Sequence, residues 1–130
     1  MSQQQISEFK SKQGLGRILA ATRYSAAGLT FAWRSEHAFR QEVLVVLPAA
    51  IVAMLLPLAA LERLALVAVL VMVLVVELIN SAIEAVVDRI SLERHPLSKS
   101  AKDLGSAAVA LSVMLAALTW GVLTAPLLLP

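Results

Sequence analysis

The sequence predicts an all-α membrane protein in which an amphipathic surface helix precedes three transmembrane helices. Hydrophobic residues make up 59% of the 130 residues and charged residues only 15%, whereas soluble domains average about 50% and about 25%. The apolar residues form runs long enough to cross a bilayer as helices, which takes about 20 residues each. Since three helices enclose little interior for polar side chains, we also expect an oligomer. The chain has no cysteine, which excludes disulfides and thiolate metal sites.

The N-terminal third is too polar to span a membrane. Residues 1–14 have no apolar periodicity and no signal-peptide pattern, so we expect them to be disordered. Residues 16–34 combine an apolar side with Arg17 and Arg23, a composition that predicts a helix lying in the membrane interface. Ser35 is a candidate cap for a further helix, with Glu36 in its first turn.

Three apolar segments are predicted to cross the bilayer. The first is residues 43–61, which contain no charge. Residues 62–63 (Glu-Arg) form a short predicted connection to the second span, residues 64–90. The third span, residues 104–126, is predicted to follow a charged loop in which Ser98 or Ser100 caps the helix.

The distribution of basic residues predicts the orientation. Of the 11 Lys and Arg residues, only Arg63 lies between the first two spans, and none follows the third. The others precede the first span or surround the second loop. Because cytoplasmic segments are enriched in Lys and Arg, the N-terminus and the second loop are predicted to be cytoplasmic and the C-terminus periplasmic.

A narrow polar stripe interrupts the second span. At about 100° per residue, its members fall within roughly one third of the helix circumference. They are Glu77, Asn80, Ser81, Glu84 and Asp88. Asn and Ser can be explained as hydrogen-bonding contacts between membrane helices. Carboxylates inside a bilayer are costly and usually mark a functional site, which favours a functional role for Glu77 and Glu84.

Depth in the membrane suggests a chemistry for the stripe. Measured from Arg63 at about 1.5 Å per residue, Glu77 lies about 21 Å and Glu84 about 31 Å along the helix. In a hydrocarbon layer about 30 Å thick, Glu84 reaches the cytoplasmic surface and Glu77 remains at lipid depth, where it could act as a general base. Lys102 and Asp103, predicted to begin the third helix at the same surface, could contact phosphate and metal. The pattern favours phosphoryl transfer to a lipid hydroxyl.

Three segments resemble the prokaryotic diacylglycerol kinases over about residues 16–120. They read RYSAAGLTFAWRSEHAFRQE, VELINSAIEAVVDRI and HPLSKSAKDLGSAAV. The FRQE and AKDLGSAAV portions favour the diacylglycerol branch over the related undecaprenol kinases. The resemblance implies a homotrimer of the bacterial inner membrane, with active sites shared between subunits. It also implies MgATP-dependent phosphorylation of diacylglycerol to phosphatidate.

The resemblance also assigns roles to residues. It implies that Glu77 is the general base supported by Asn80, and that Glu36 and Glu84 hold the metal that bridges ATP. The implied nucleotide contacts are Arg17, Tyr24, Glu36, Glu84, Glu93, His95, Lys102 and Asp103. The implied lipid contacts are Arg17, Arg23, Tyr24, Trp33, Glu42, Glu77 and Ser106.

Two positions depart from the family pattern. Ser100 stands where an arginine is expected, and Arg94 stands where tyrosine is common. Both lie in the implied nucleotide loop.

Two other interpretations of the stripe remain open. A buried carboxylate can serve as a proton relay in a proton-coupled transporter, although the apolar residues 64–76 offer no water path. Alternatively, the stripe could only join helices in a scaffold that is not an enzyme.

Overall fold

The computed structural model describes residues 14–129, and every regular element in this part of the chain is an α-helix. The helices are α1 (Leu15–Ser35), α2 (His37–Leu55), α3 (Ala60–Ile90) and α4 (Pro96–Leu128). By length and composition, α2, α3 and α4 can each cross a membrane, which confirms the prediction of a multi-pass membrane protein with three spans. The prediction of disorder covers residues 1–14, of which only Gly14 belongs to the part of the chain that the structure describes.

The described residues form two compact units that divide between Ser35 and Glu36. Helix α1 belongs to the first unit, and its bounds agree with the predicted surface helix to within one residue. Within it, the Thr22 and Thr30 hydroxyls donate to the carbonyls of Ile18 and Ala26 one turn earlier. The second unit contains α2, α3 and α4.

Helix α2 begins and ends earlier than the first predicted span. Leu56 is extended (φ −68°, ψ 144°), because Pro57 disfavours the helical conformation in the residue before it. The helix therefore stops at Leu55 instead of continuing to residue 61. At the other end, Ser35 does not cap α2: it is the last residue of α1, and Glu36 occupies the cap position without a side-chain hydrogen bond.

The connection between α2 and α3 is residues 56–59, so the prediction that residues 62–63 form it is wrong. Both of these residues lie in the first turn of α3, and the side chain of each forms a hydrogen bond with a backbone group at a helix end. The Glu62 carboxylate accepts a 2.8 Å hydrogen bond from the Ala59 backbone N–H. The Arg63 guanidinium donates to the Met54 carbonyl, 3.3 Å away, in the last turn of α2. Each bond satisfies a backbone group that a helix end leaves unpaired.

Helix α4 begins at Pro96, well before residue 104, and neither Ser98 nor Ser100 caps it. His95 is the cap, because its Nδ1 accepts a 3.1 Å hydrogen bond from the Leu97 backbone N–H. Proline suits the first helical position, where no backbone donor is required. As a consequence, Lys102 and Asp103 lie about two turns inside α4 and not at its start.

The three long helices pack through one face of α3. Its buried residues are Leu66, Leu70, Val73, Glu77, Asn80 and Val87. The buried residues of α4 are small, namely Gly105, Ser112 and Ala116, and small residues let membrane helices approach closely. Near the start of α3 and the end of α4, the Trp120 indole N–H donates to the Leu66 carbonyl at 3.2 Å. The polar stripe thus lies on the packed side of α3, while large apolar side chains cover the outside.

Candidate active site

Burial within the protein decreases along the polar stripe from Glu77 to Asp88. Glu77 is 5% exposed and Asn80 is 8% exposed. One turn later Glu84 is half-buried, and the Asp88 side chain, a further turn along, is 49% exposed. One continuous helix therefore carries carboxylates from an enclosed interior to an open end.

Asn80 links the buried and the open parts of the stripe. Its Nδ2 donates to Glu84 Oε1 at 3.3 Å. Because an ionised carboxylate only accepts hydrogen bonds, this contact requires the NH₂ end of the amide to face Glu84. The amide oxygen of Asn80 then faces the protein interior, where it is buried without a hydrogen-bond partner.

Three other carboxylates lie within electrostatic range of Glu77. Glu77 interacts electrostatically with Glu84 and Glu36, and also with Glu42. One oxygen of Glu42 is buried and has no hydrogen-bond partner. The structure therefore places both predicted metal ligands within electrostatic range of the predicted base in one chain. A concentration of negative charge of this kind favours the binding of a cation.

The donor set fits magnesium that is bound together with a nucleotide. Among residues 14–129, no group of three or more His, Asp or Glu side chains could hold a metal ion. Magnesium, however, commonly takes one or two carboxylates from a protein and the remaining ligands from substrate phosphates and water. Glu36 and Glu84 supply that number of carboxylates.

A cavity of about 750 Å³ lies between the end of α3 and the start of α4. Its size is in the range of sites that hold small organic ligands. It brings together four residues for which a nucleotide contact was predicted, namely Glu93, His95, Lys102 and Asp103. Asp88, Arg94 and Lys99 also line it. The cavity therefore has three cationic side chains available to phosphate oxygens.

Ion pairs hold the two lysines of the cavity. Lys102 Nζ contacts Asp88 Oδ1 at 2.7 Å and so joins α4 to α3. Lys99 pairs with Asp103 one turn away on α4. Since an ammonium group has three donors, Lys102 can bind a phosphate oxygen while it keeps Asp88.

Arg94 is a cavity residue that the motif did not assign. In the sequence, this residue beside His95 stands out only as a departure from the family pattern. Ser100, the other departure, does not line the cavity, and its hydroxyl donates to the Pro96 carbonyl within its own helix. In this chain, the arginine that lines the cavity is therefore Arg94, in the loop before α4, and position 100 on α4 has none.

An apolar groove of about 440 Å³ lies between α2, α3 and α4. Glu42 lines it together with Leu70, Val73 and Trp120, among others. Helical spacing puts Leu70, Val73 and Glu77 on one face of α3, so Glu77 follows the groove residues along that face, although it does not line the groove itself. Such a surface can accept an apolar chain. Ser106, the remaining lipid contact predicted on α4, is exposed.

The predicted substrate contacts on α1 belong to the other compact unit. Arg17 and Tyr24 are seven residues apart and share one side of the helix, whereas Trp33 lies on the opposite side. Tyr24 is 47% exposed and Trp33 is 45% exposed. These two residues and Arg17 each make a further interaction within the structure, and Arg23 is exposed. The roles of these residues toward substrates stay predictions.

Comparison with known proteins agrees with the motif. The family described as "Prokaryotic diacylglycerol kinase" matches residues 23–124. A diacylglycerol kinase of Pseudomonas aeruginosa is 54% identical over 114 residues, which cover 88% of this chain and 93% of the relative. One from Escherichia coli K12 is 49% identical over 110 residues, covering 85% and 90%. One from Haemophilus influenzae is 38% identical over 108 residues, covering 83% and 92%.

The matched region includes α2, α3, most of α4 and of α1, and every residue of the stripe and the cavity. Identity near one half over most of both chains confirms the family that the three sequence segments predicted. The chain belongs to the prokaryotic diacylglycerol kinase family.

Proposed function

We propose that the chain transfers the terminal phosphoryl group of MgATP to the free hydroxyl of diacylglycerol at the cytoplasmic surface of a bacterial inner membrane. One observation carries the proposal. Along α3, the buried Glu77 follows two residues of an apolar groove on the same helix face, and open carboxylates and then a cation-lined cavity come after it. A lipid hydroxyl and a soluble nucleotide can therefore approach the same stripe from opposite directions.

In the proposed reaction, Glu77 accepts the proton of the lipid hydroxyl. The hydroxyl oxygen forms a bond to the terminal phosphorus of ATP, the bond from that phosphorus to the bridging oxygen breaks, and ADP leaves. Lys102 stabilises the phosphate charge, and Asn80 orients Glu84 through its hydrogen bond. A magnesium ion held by Glu36 and Glu84 would neutralise phosphate charge. Catalysis then consists mainly of positioning and electrostatics, as in phosphoryl transfer generally.

We further propose contacts for the remaining residues that the family pattern assigns. The proposed nucleotide contacts are Arg17, Tyr24, Glu93, His95, Lys102 and Asp103. The proposed lipid contacts are Arg17, Arg23, Tyr24, Trp33, Glu42 and Ser106. Membership of the family supports a homotrimer with shared sites, and the distribution of Lys and Arg supports a cytoplasmic N-terminus.

The direct test is phosphate transfer from MgATP to lipid in mixed micelles, with diacylglycerol compared with undecaprenol. We expect transfer that depends on diacylglycerol. A preference for undecaprenol would keep the mechanism and contradict the substrate. If the folded protein transfers phosphate to neither lipid but conducts protons in sealed vesicles without ATP, the transporter interpretation would replace this proposal.

Glu77→Gln tests the role of the base. The substitution keeps the shape of the side chain but removes its ability to accept a proton, so we expect kcat to fall about 100- to 10,000-fold with unchanged assembly. Glu62→Gln is a matched control on the same helix, since its contact at the outer end of α3 requires only an acceptor oxygen. Unchanged turnover in Glu77→Gln would rule out Glu77 as the base.

A further inference from the structure

Asn80 on α3 lies directly against Gly105 on α4. A Cβ atom built on Gly105 would lie 2.1 Å from Asn80 Oδ1 and 3.2 Å from Asn80 Cγ. A separation of 2.1 Å is far inside the contact distance of two heavy atoms. Gly105 is itself buried. The amide oxygen of Asn80 therefore occupies the space that any side chain at position 105 would need.

The contact matters because it determines which way the amide points. Asn80 is short and only 8% exposed. The NH₂ of its amide donates to Glu84, and the oxygen of the same amide is directed at Gly105. Moving the oxygen away from α4 requires rotation of the whole amide, since both ends belong to one planar group. The rotation would withdraw the NH₂ from Glu84.

We infer that Gly105 is a positioning residue for the kinase reaction: its missing Cβ seats the Asn80 amide so that Asn80 orients Glu84 toward the nucleotide. The inference rests on the proposed roles of Asn80 and Glu84. Gly105 acts through Asn80 and does not itself contact a substrate. A small misplacement of an orienting group can lower turnover about 100-fold, whereas the fold can tolerate a rotated side chain.

Gly105→Ala tests the inference. We expect kcat to fall about 10- to 100-fold, with KM for diacylglycerol and the assembly of the purified protein unchanged. Gly121→Ala is the matched control, because Gly121 lies on the same helix and nothing lies within 4 Å of a Cβ built on it. Gly121→Ala should keep wild-type turnover. Wild-type turnover in Gly105→Ala would overturn the inference.

A double-mutant cycle separates positioning from a general effect on helix packing. The Cβ of Asn80 lies 3.8 Å from the built Cβ of Gly105, an ordinary contact, so Asn80→Ala removes the clash. We therefore expect Gly105→Ala to cause no further loss of turnover in the Asn80→Ala background. An equal loss in both backgrounds would overturn the inference. If Gly105→Ala alone does not fold, restored folding in the double variant supports the contact, and continued misfolding contradicts it.

The same cycle tests the proposed function separately. If Asn80→Ala alone leaves turnover unchanged, the proposed role of Asn80 fails, and the positioning role of Gly105 fails with it. If Asn80→Ala lowers turnover but Gly105→Ala does not, only the inference about Gly105 fails.

Discussion

At the scale of single residues, burial distinguishes side chains that have the same chemistry. Glu77 and Glu84 lie two turns apart on one helix, yet Glu77 is almost fully buried and Glu84 is half-buried. A buried carboxylate costs free energy unless it has a partner, and retaining one suggests a chemical role. The lysines of the cavity differ from Glu77, because Lys99 and Lys102 are exposed and each pairs with an aspartate.

Arg94 is the cavity cation without such a partner. In the described part of the chain, it has neither an ion pair nor a hydrogen bond. Its guanidinium can therefore bind phosphate oxygens without giving up another contact. We expect Arg94→Gln to raise KM for MgATP about 3- to 10-fold and to leave KM for diacylglycerol unchanged.

Steady-state kinetics with varied MgATP would check this prediction. Arg89→Gln is the control, because Arg89 is also exposed at the end of α3 but does not line the cavity. An equal rise in KM for both variants would indicate a general effect of surface charge and contradict a specific contact by Arg94.

At the scale of helices, the pair α3 and α4 is held differently at its two ends. Near the cavity, Lys102 and Asp88 join the helices through charge, and Gly105 permits close contact with Asn80. At the far end, the link is the hydrogen bond from Trp120 to the Leu66 carbonyl. The proposed reaction therefore uses one end of the interface, whereas the two helices are attached to each other at both ends.

Trp120→Phe should weaken the far link and spare the reaction. The aromatic packing is largely kept and one hydrogen bond is lost, so we expect the free energy of unfolding to fall by about 1 kcal/mol with little change in kcat. Because Trp120 also lines the apolar groove, an effect on the binding of diacylglycerol would change KM for that lipid and not kcat. Unfolding in detergent would measure the loss. Thr124→Val is the control, because its hydroxyl bonds within α4, to the Trp120 carbonyl. A large loss of turnover at constant stability in Trp120→Phe would contradict the separation of the two ends.

At the scale of the whole molecule, three apolar helices with short connections set which loops share a side of the membrane. If α2, α3 and α4 each cross the membrane, the loop between α3 and α4 faces one side and residues 56–59 face the other. The excess of Lys and Arg around the loop between α3 and α4 predicts that the cavity beside it faces the cytoplasm.

Cysteine labelling would establish this orientation, since the chain has no cysteine of its own. Ser91→Cys places a thiol beside the cavity, and Ala59→Cys places one in the opposite loop, both at exposed positions. In intact cells with a permeable outer membrane, we expect an impermeant thiol reagent to label Ala59→Cys only, with Ser91→Cys labelled after lysis. The reverse pattern would show that the catalytic end faces the periplasm.

The sequence by itself determined the fold class, the number of spans, the polar stripe and the family. These properties follow from composition, helical periodicity and a distinctive motif, all of which are local along the chain. It was less successful at helix ends. Pro57 stops α2 early, and His95 and Pro96 start α4 early, because backbone conformation and specific hydrogen bonds decide those positions.

Only the tertiary structure decided which distant residues meet. It placed Glu36 and Glu42 within electrostatic range of Glu77 on α3. It also placed Arg94 and not Ser100 in the cavity, and Gly105 against Asn80. The periodicity of one helix shows which of its residues share a face. It cannot show which residue of another helix lies opposite, because that depends on how closely and at what register the two helices pack.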